Sequence, residues 1–374
     1  MWTVDFALDD DQVTLQNVLR GFFEAQVSDS AVRAQFDEAA GYDRRLWKRM
    51  ANELGLQGLA IPEQYGGGGF SFFELGLVLE EMGRALVPSP FLGSCVMSAQ
   101  LLLALDDEQA RKRLLPGIAD GSTVVSVALA EDAGSWQVDD VATTATRDGE
   151  TWRINGRKAY VLDGYGADSY LVIARTSDGV AVFEVDGQST GIECTPSPTM
   201  DLTRRLATVT FDAAAATPVG TSGAAPAALA VTLDHTRIAI GADSVGGTGR
   251  VMDMAVEYAK TREQFGRPIG SFQAIKHKCA SMLVELEGSR SAVYYALWAA
   301  ATDQADRPVV AALIKAHCVD TYLAAAGENI QIHGGIGFTW EHSAHLFLKR
   351  AKSSQVLLGD SDLHRQLLAD RVGI

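Results

Sequence analysis

The fold of this 374-residue chain is decided by the segment Thr261-Arg262-Glu263-Gln264-Phe265-Gly266-Arg267-Pro268-Ile269-Gly270-Ser271-Phe272-Gln273-Ala274. Apolar residues recur at helical spacing on both sides of it, over residues 238–258 and 275–286. Two glycines and a proline inside the segment break the helical pattern. The sequence therefore predicts a helix–loop–helix with a cation, Arg262, at the break.

The string Arg-x-x-Phe-Gly-x-x-Ile-x-x-Phe-Gln-Ala-Ile, which begins at Arg262, resembles the signature of the acyl-CoA dehydrogenase family. Taken alone, an arginine at a helix end could simply cap the last carbonyls. The resemblance implies instead that Arg262 reaches the pyrophosphate of FAD, that Phe265 packs near the adenine, and that Gln273 lies beside the cofactor. In that family the bound FAD belongs largely to a neighbouring subunit, so the site is shared across an interface. A guanidinium fork is suited to diphosphate oxygens.

Composition narrows the class of protein. The chain length allows two or three domains or one fused core. Lys and Arg number 32 against 47 Asp and Glu, and the net charge of −15 argues against nucleic-acid binding. The widely spaced, apolar contexts of the four cysteines predict reduced core thiols: Cys95, Cys194, Cys279 and Cys318. No signal peptide is visible and no apolar run approaches about 18 residues, which predicts a cytoplasmic protein without a membrane span.

Residues 1–120 have the pattern of a helical domain. The acidic run at residues 9–11 precedes an apolar face, a helix over residues 46–54 is ended by Gly55, and a strong amphipathic helix follows from residue 73 to residue 86. Four consecutive glycines at 66–69 predict tight turns, because no Lys-Ser/Thr follows them as a phosphate cradle requires. Within the family, Ile61-Pro62-Glu63-Gln64-Tyr65-Gly66-Gly67 is typical of the amino-terminal helical domain.

Residues 121–218 change character. Short β-branched runs alternate with turn signals such as Asn155-Gly156, which indicates a small β-barrel or sandwich. The Ala- and Gly-rich stretch 213–228 is the predicted linker, and residues 227–374 return to helical patterns. This α–β–α order resembles the acyl-CoA dehydrogenase layout. We therefore expect an α+β protein with an amino-terminal helical domain, a middle β-barrel and a carboxy-terminal four-helix bundle.

Two further motifs lie in the last domain. Asp234 and Arg237 could simply be an acidic helix start and a surface arginine. The resemblance implies instead that they contact the pantetheine and nucleotide of acyl-CoA. Gln331 followed by Gly334 and Gly335 could be only a helix stop, but it also resembles the family's second FAD contact, where the backbone approaches the adenosine half. His333 and His342 lack the spacing of a metal site.

The groups that the family's chemistry needs are absent from their usual places. A carboxylate removes the α-proton in this family, yet Leu358 occupies the usual Glu position and Thr236 the alternate one. The two middle-domain segments that normally meet the flavin are Ala130-Glu131-Asp132-Ala133-Gly134-Ser135-Trp136 and Tyr160-Val161-Leu162. The second has no hydroxyl at the usual Thr position. The residues that serve a neighbour's FAD remain, while those that hold the chain's own flavin are lost.

This asymmetry resembles the two-component acyl-CoA dehydrogenases of actinobacterial steroid side-chain degradation, which are α2β2 heterotetramers. The resemblance implies a non-catalytic subunit paired with a homologous base-bearing subunit, an acyl-CoA substrate, and an electron-transfer flavoprotein or similar acceptor. One alternative is a self-sufficient homotetrameric dehydrogenase with a displaced base, for which Asp360 and Asp243 are the nearest candidates. Another is a structural or regulatory partner with the same fold and no redox role.

Overall fold

The computed structural model describes residues 7–221 and 223–374. Its α-helices are α1 Asp10–Gln26, α2 Asp29–Ala34, α3 Arg44–Leu54, α4 Phe72–Ala85, α5 Ala99–Ala104, α6 Glu108–Ala119, α7 Ala225–Thr261, α8 Gln273–Ala301, α9 Arg307–His333, α10 Ala344–Val356 and α11 Ser361–Val372. Its strands are β1 Val125–Ala128, β2 Thr144–Asp148, β3 Thr151–Leu162, β4 Ser169–Thr176, β5 Gly179–Asp186, β6 Ile192–Pro196, β7 Leu206–Val219, β8 Glu263–Gln264 and β9 Arg267–Pro268. A π-helix, Phe91–Ser98, precedes α5.

The described residues fall into two compact units. The helical unit comprises the chain up to Arg33, Phe72–Val87 and Arg237–Ile374. The sheet unit comprises Ala34–Ser71 and Pro88–Thr236. The architecture is therefore mixed helix and sheet, with helical parts before and after a central sheet, as the sequence predicts.

The sheet unit is built on seven strands. The strand order is β1-β4-β2-β3-β7-β5, with β6 beside β7, and β5 also pairs with β4, so the pairing closes into a circuit. β1 runs parallel to β4, while β3 and β7 form a long antiparallel pair. Alternate inward residues of these strands form one core, which includes Ile154, Tyr170, Phe183, Val209 and Phe211.

β3 bends at Gly156, where its register with β7 shifts. Gly156 has φ +148, and a Cβ there would lie 2.6 Å from the Thr143 hydroxyl oxygen, so the bulge requires glycine. β7 continues to Val219, which corrects the predicted linker over residues 213–228. The alanines from 213 onward are strand residues because they pair with the first half of β3, and only residues between Val219 and Ala225 connect sheet to helix.

Two helices of the helical unit cross with their backbones in contact. A Cβ on Gly83 of α4 would lie 2.0 Å from the Asp243 carbonyl oxygen, and a Cβ on Gly246 of α7 would lie 1.7 Å from the Glu80 carbonyl oxygen. Glycine at both positions lets α4 and α7 approach this closely. α8 closes over α4, where Arg290 and Tyr294 reach the buried carboxylate of Glu80.

α9 is the most apolar long helix of the described chain. The stretch Arg307–Phe338 is long and apolar enough to span a membrane, which the sequence analysis did not anticipate, but 61% of its most apolar window is buried within the fold. This burial is the behaviour of a core helix.

The four cysteines are free, and Cys95 and Cys318 are buried as predicted, whereas Cys194 and Cys279 are only partly buried and so are not core thiols.

Candidate functional site

The segment that opens the sequence analysis folds as a helix, a short hairpin and a second helix. α7 ends at Thr261, β8 and β9 pair across a tight turn, and α8 begins at Gln273. The turn places Phe265 and Gly266 in the left-handed region, with φ of 55° and 75°. The Arg262 N–H donates to the Tyr258 carbonyl at 2.8 Å, and the Arg262 carbonyl accepts from Ile269 N–H at 2.8 Å. Arg262 thus lies at the break, as predicted.

The side chains of this hairpin face outward. Phe265 is 92% exposed, and Arg262 and Gln273 are also exposed. Within residues 7–221 and 223–374 the Arg262 guanidinium and the Gln273 amide make no hydrogen bond or ion pair. Arg267 instead stacks on the Phe272 ring, with its guanidinium carbon 4.2 Å from the ring centroid. Phe265 packs edge-on against Phe272, with ring centroids 6.1 Å apart, and its other surfaces are exposed. The hairpin therefore offers an unpaired cation and an exposed aromatic ring to a group outside the chain.

The glycine-containing segment after α9 is equally open. Gln331, Gly334 and Gly335 are exposed, and a Cβ built on either glycine would meet nothing within 4 Å. Gly334 has φ +64, so it ends α9 with a conformation that favours glycine. A flat, side-chain-free backbone of this kind can receive a planar or phosphate-bearing ligand closely.

The structure brings these two segments to the same end of the helical unit. Tyr258, near the end of α7, stacks on His333, the last residue of α9, with ring centroids 4.3 Å apart. Lys278 in the second turn of α8 forms an ion pair with Glu328 near the end of α9. The six predicted FAD contacts are thus all exposed, and they lie where α7 and α9 end and α8 begins. This arrangement fits a cofactor that is held largely by another subunit.

Leu358, which the resemblance aligns with the usual base, is buried. Leu358 is 2% exposed, with φ +62, in the connection between α10 and α11. The His364 Nε2–H donates to the Leu358 carbonyl at 3.0 Å, and the Lys315 ammonium donates to the carbonyls of Gln355 and Gly359 at 3.0 and 2.9 Å. No proton acceptor extends from residue 358, because its side chain is aliphatic.

The other base candidates are engaged in structure. The Thr236 hydroxyl donates to the Thr232 carbonyl at 2.7 Å inside α7. Asp243 is buried and accepts from the Arg350 guanidinium at 3.1 Å. Asp360 caps α11 by accepting from the Leu363 N–H at 2.9 Å. Asp243 is thus tied to a buried arginine, and Asp360 is engaged in a helix cap through one of its carboxylate oxygens.

Asp234 and Arg237 lie inside α7 rather than at its start. The helix begins nine residues earlier, at Ala225, and both side chains are buried. The simple explanation of an acidic cap and a surface arginine is therefore wrong. Because the first half of α7 is largely buried, polar residues here must be satisfied within the fold or by a ligand that enters it.

The middle-domain segments carry an ion pair where flavin contacts are expected. Glu131 accepts from Lys158 Nζ and from the Thr143 N–H, each at 2.8 Å. Burial alone would raise the pKa of Glu131, but the Lys158 ammonium and the Thr143 N–H outweigh it and lower that pKa to about 2. Burial lowers the pKa of Lys158 to about 8, against the raising effect of Glu131. Glu131 is therefore a structural carboxylate that stays ionised.

The second middle-domain segment, Tyr160-Val161-Leu162, differs in exposure along its length. Tyr160 is 41% exposed with φ +57, whereas Val161 and Leu162 are buried in the core. Sequence reasoning missed the buried cations Lys158 and Lys315, although a lysine inside an apolar run, as in Leu313-Ile314-Lys315-Ala316, is a signal that could have identified the second.

Known proteins resemble the chain over nearly its whole length. Three family models match the chain: Acyl-CoA dehydrogenase, N-terminal domain, at residues 9–122; Acyl-CoA dehydrogenase, middle domain, at 126–213; and Acyl-CoA dehydrogenase, C-terminal domain, at 226–373. Acyl-CoA dehydrogenase IpdE2 of Mycolicibacterium smegmatis is 32% identical over 352 residues, which cover 94% of this chain and 96% of that protein.

Solved structures give the same result. The Tcur3481-Tcur3483 steroid ACAD, solved as a variant, superposes with a TM-score of 0.86 at 32% identity and covers 97% of this chain and 98% of its own. The ChsE4-ChsE5 complex from Mycobacterium tuberculosis gives a TM-score of 0.89 at 26% identity, with 99% of each chain covered. The chain therefore belongs to the acyl-CoA dehydrogenase family, whose members are FAD-dependent oxidoreductases that act on the CH–CH bond of acyl-CoA thioesters.

Proposed function

We propose that this chain is the base-less subunit of a heteromeric acyl-CoA dehydrogenase and that it completes the FAD site of a homologous, base-bearing subunit in an α2β2 assembly. The observation that carries the proposal is a contrast within the helical unit. The residues that would serve a partner's FAD are exposed, whereas residue 358, where the base belongs, is a buried leucine. A chain of this kind contributes binding and positioning rather than proton abstraction.

Each exposed group has a role in this proposal. Arg262 donates to the pyrophosphate of FAD, Phe265 packs near the adenine, and Gln273 lies beside the cofactor. Gln331, Gly334 and Gly335 receive the adenosine half. The chemistry that FAD supplies when bound is acceptance of the β-hydride during α,β-dehydrogenation. Asp234 and Arg237 are proposed contacts of acyl-CoA.

The names of the similar proteins support a substrate class and partners. One solved neighbour is called a steroid ACAD and another is a two-protein complex, ChsE4-ChsE5. We therefore propose CoA esters of steroid side chains as substrates and an electron-transfer flavoprotein or similar acceptor. We also propose a cytoplasmic location, a three-domain division at 1–120, 121–218 and 227–374, a barrel formed by the circuit of strand pairs, and a four-helix bundle in the last domain.

The main alternative is a self-sufficient homotetramer with a displaced base. The buried ion pair of Asp243 with Arg350 and the capping role of Asp360 speak against it, because both carboxylates already hold structural contacts. A non-redox partner with the same fold remains the third candidate. The exposed Arg262 and Phe265 favour the flavin role over it, since a purely structural subunit has no need of them.

Reconstitution tests the proposal. The chain is expressed alone and together with a base-bearing acyl-CoA dehydrogenase subunit, and α,β-dehydrogenation of a steroid-CoA ester is measured with a ferricenium acceptor. We expect activity and a flavin spectrum from the co-expressed pair and neither from the lone chain. Turnover by the lone chain, with stoichiometric FAD, would contradict the proposal.

A further inference from the structure

The helical unit contains a cavity of about 370 Å³ that none of the proposed FAD or acyl-CoA contacts lines. Its walls come from the end of α1, the start of α2, the end of α4, the middle of α7 and the start of α10. Three arginines from three different helices reach it: Arg20, Arg84 and Arg250. In a chain with a net charge of −15, this convergence of cations needs an explanation.

Two of the three arginines have carboxylate partners. Arg20 donates to both oxygens of Glu81, at 3.1 and 2.6 Å, and Glu81 is almost fully buried. Arg84 donates through Nη2 to Asp253 at 2.7 Å. The lining residue Asp29 is likewise occupied, because Arg33 donates to it at 2.7 Å. Two of the three carboxylates that line the cavity are thus neutralised by neighbours.

Arg250 is the exception. It is partly buried on α7, and within residues 7–221 and 223–374 its guanidinium makes no hydrogen bond and no ion pair. The remaining lining carboxylate, Glu24, is exposed at the rim and does not contact it. The five donors of this partly exposed guanidinium are therefore open to an acceptor that enters the cavity from solvent.

A second, independent set of donors faces the same cavity. Ser343 precedes α10, a helix of 13 residues, and its side chain makes no capping hydrogen bond. Its hydroxyl has no partner within the described part of the chain, and it lines the cavity. The start of α10 therefore presents an unused hydroxyl together with the positive end of the helix.

We propose that this cavity is a binding site for a phosphate group, held by Arg250 and Ser343 and assisted by the free nitrogens of Arg84. The three groups come from α7, α10 and α4, and so approach from different directions. A tetrahedral oxyanion presents acceptors in all of these directions, whereas a carboxylate presents them in one plane. The cavity is larger than inorganic phosphate requires, so both free phosphate and a small phosphate ester fit its chemistry.

The test uses the full chain in the assembly in which it purifies. Isothermal titration calorimetry measures binding of inorganic phosphate, of glycerol 3-phosphate and of acetate at matched ionic strength. We expect saturable binding of at least one phosphate compound and none of acetate. Tighter binding of the ester than of phosphate assigns the site to a phosphate monoester, and the reverse order assigns it to free phosphate; both support the site.

Two variants and one control identify the residues. Arg250→Gln should weaken phosphate binding about tenfold to hundredfold, and Ser343→Ala should weaken it less, because one charge-assisted contact is lost in the first and one neutral contact in the second. Arg250 makes no hydrogen bond or ion pair within the described residues, so the variant should melt normally without phosphate. Arg45→Gln is the control, since Arg45 is 94% exposed outside the cavity. Absence of saturable binding, equal binding of acetate, or equal affinity of Arg250→Gln and Arg45→Gln would overturn the proposal.

Discussion

Leu358 lies buried in the turn between α10 and α11 with a backbone conformation that leucine seldom adopts. Its φ of +62° stores strain, and such residues persist where the surroundings hold them. Here Lys315 donates to the Gln355 and Gly359 carbonyls, and His364 donates to the Leu358 carbonyl. These three hydrogen bonds hold the turn in place, and we propose that it corresponds to the turn that carries the base in the family.

Substituting the base back into this turn should not restore activity. Leu358→Glu in the lone chain leaves the Tyr160-Val161-Leu162 strand and the Glu131–Lys158 pair unchanged, so the hydroxyl expected at the usual Thr position is still missing. We expect no turnover with a ferricenium acceptor. Leu358→Gln is the matched control for size and polarity. Turnover by the Glu variant but not by the Gln variant would show that only the base was missing.

Arg262 should hold the cofactor of the assembled enzyme. Arg262→Ala removes a charge-assisted bond to pyrophosphate, on the order of 1.5–3 kcal/mol, and FAD content after gel filtration and dialysis should fall. Arg262→Lys keeps the charge but loses the fork, so it should restore retention only in part. Arg267→Ala is the control, because Arg267 already stacks on Phe272. Equal FAD content in all four proteins would contradict the role.

At the scale of elements, the contact between α4 and α7 depends on two glycines. Gly246→Ala places a methyl group 1.7 Å from the Glu80 carbonyl oxygen, which forces the two backbones apart. We expect a loss of about 1–3 kcal/mol or more, seen as a lower melting temperature. Gly288→Ala in α8 is the matched control, since nothing lies within 4 Å of its Cβ, and it should be neutral or stabilising. Equal melting temperatures for the two variants would show that the helices do not need this contact.

His364 of α11, which binds the Leu358 carbonyl, should also make the stability of the protein depend on pH. Burial, followed by the nearby charges of Lys315 and Arg237, lowers the pKa of His364 to about 3. In the unfolded chain this histidine titrates near 6.5, so between about pH 6.5 and 3 the unfolded state binds a proton that the folded state does not. The free energy of unfolding is therefore unaffected by His364 above about pH 6.5 and decreases as the pH falls toward 3. His364→Gln keeps a donor for the Leu358 carbonyl without titrating. Its melting temperature should therefore fall less steeply over this range than that of the parent, and parallel curves would contradict the assignment.

Sequence and structure agree best where local chemistry decides the element. The helix–loop–helix around Arg262 was predictable because glycine and proline interrupt two apolar periodicities. The strand at residues 213–219 was not predictable, because an alanine-rich stretch has little strand propensity of its own and becomes a strand only through pairing with β3. Likewise, the ion pair of Asp243 with Arg350 joins residues 107 apart, and no short motif announces it.

At the scale of the whole molecule, exposed apolar side chains gather in the same part of the chain as the candidate FAD contacts. Phe265 lies on the hairpin, and Ile336, Phe338 and Trp340 follow the glycine pair, all substantially exposed. Exposed apolar side chains of this size mark an association surface more often than a free one. If the cofactor binds only the assembled state, as we propose, its binding energy stabilises that state.

Native mass spectrometry of the co-purified complex tests the central claim most directly. If this chain supplies only the partner-facing half of the FAD site, the heterotetramer should carry about one FAD for every two chains, and the lone chain should be flavin-poor and poorly assembled. A homotetramer of this chain with one FAD per chain would contradict the account.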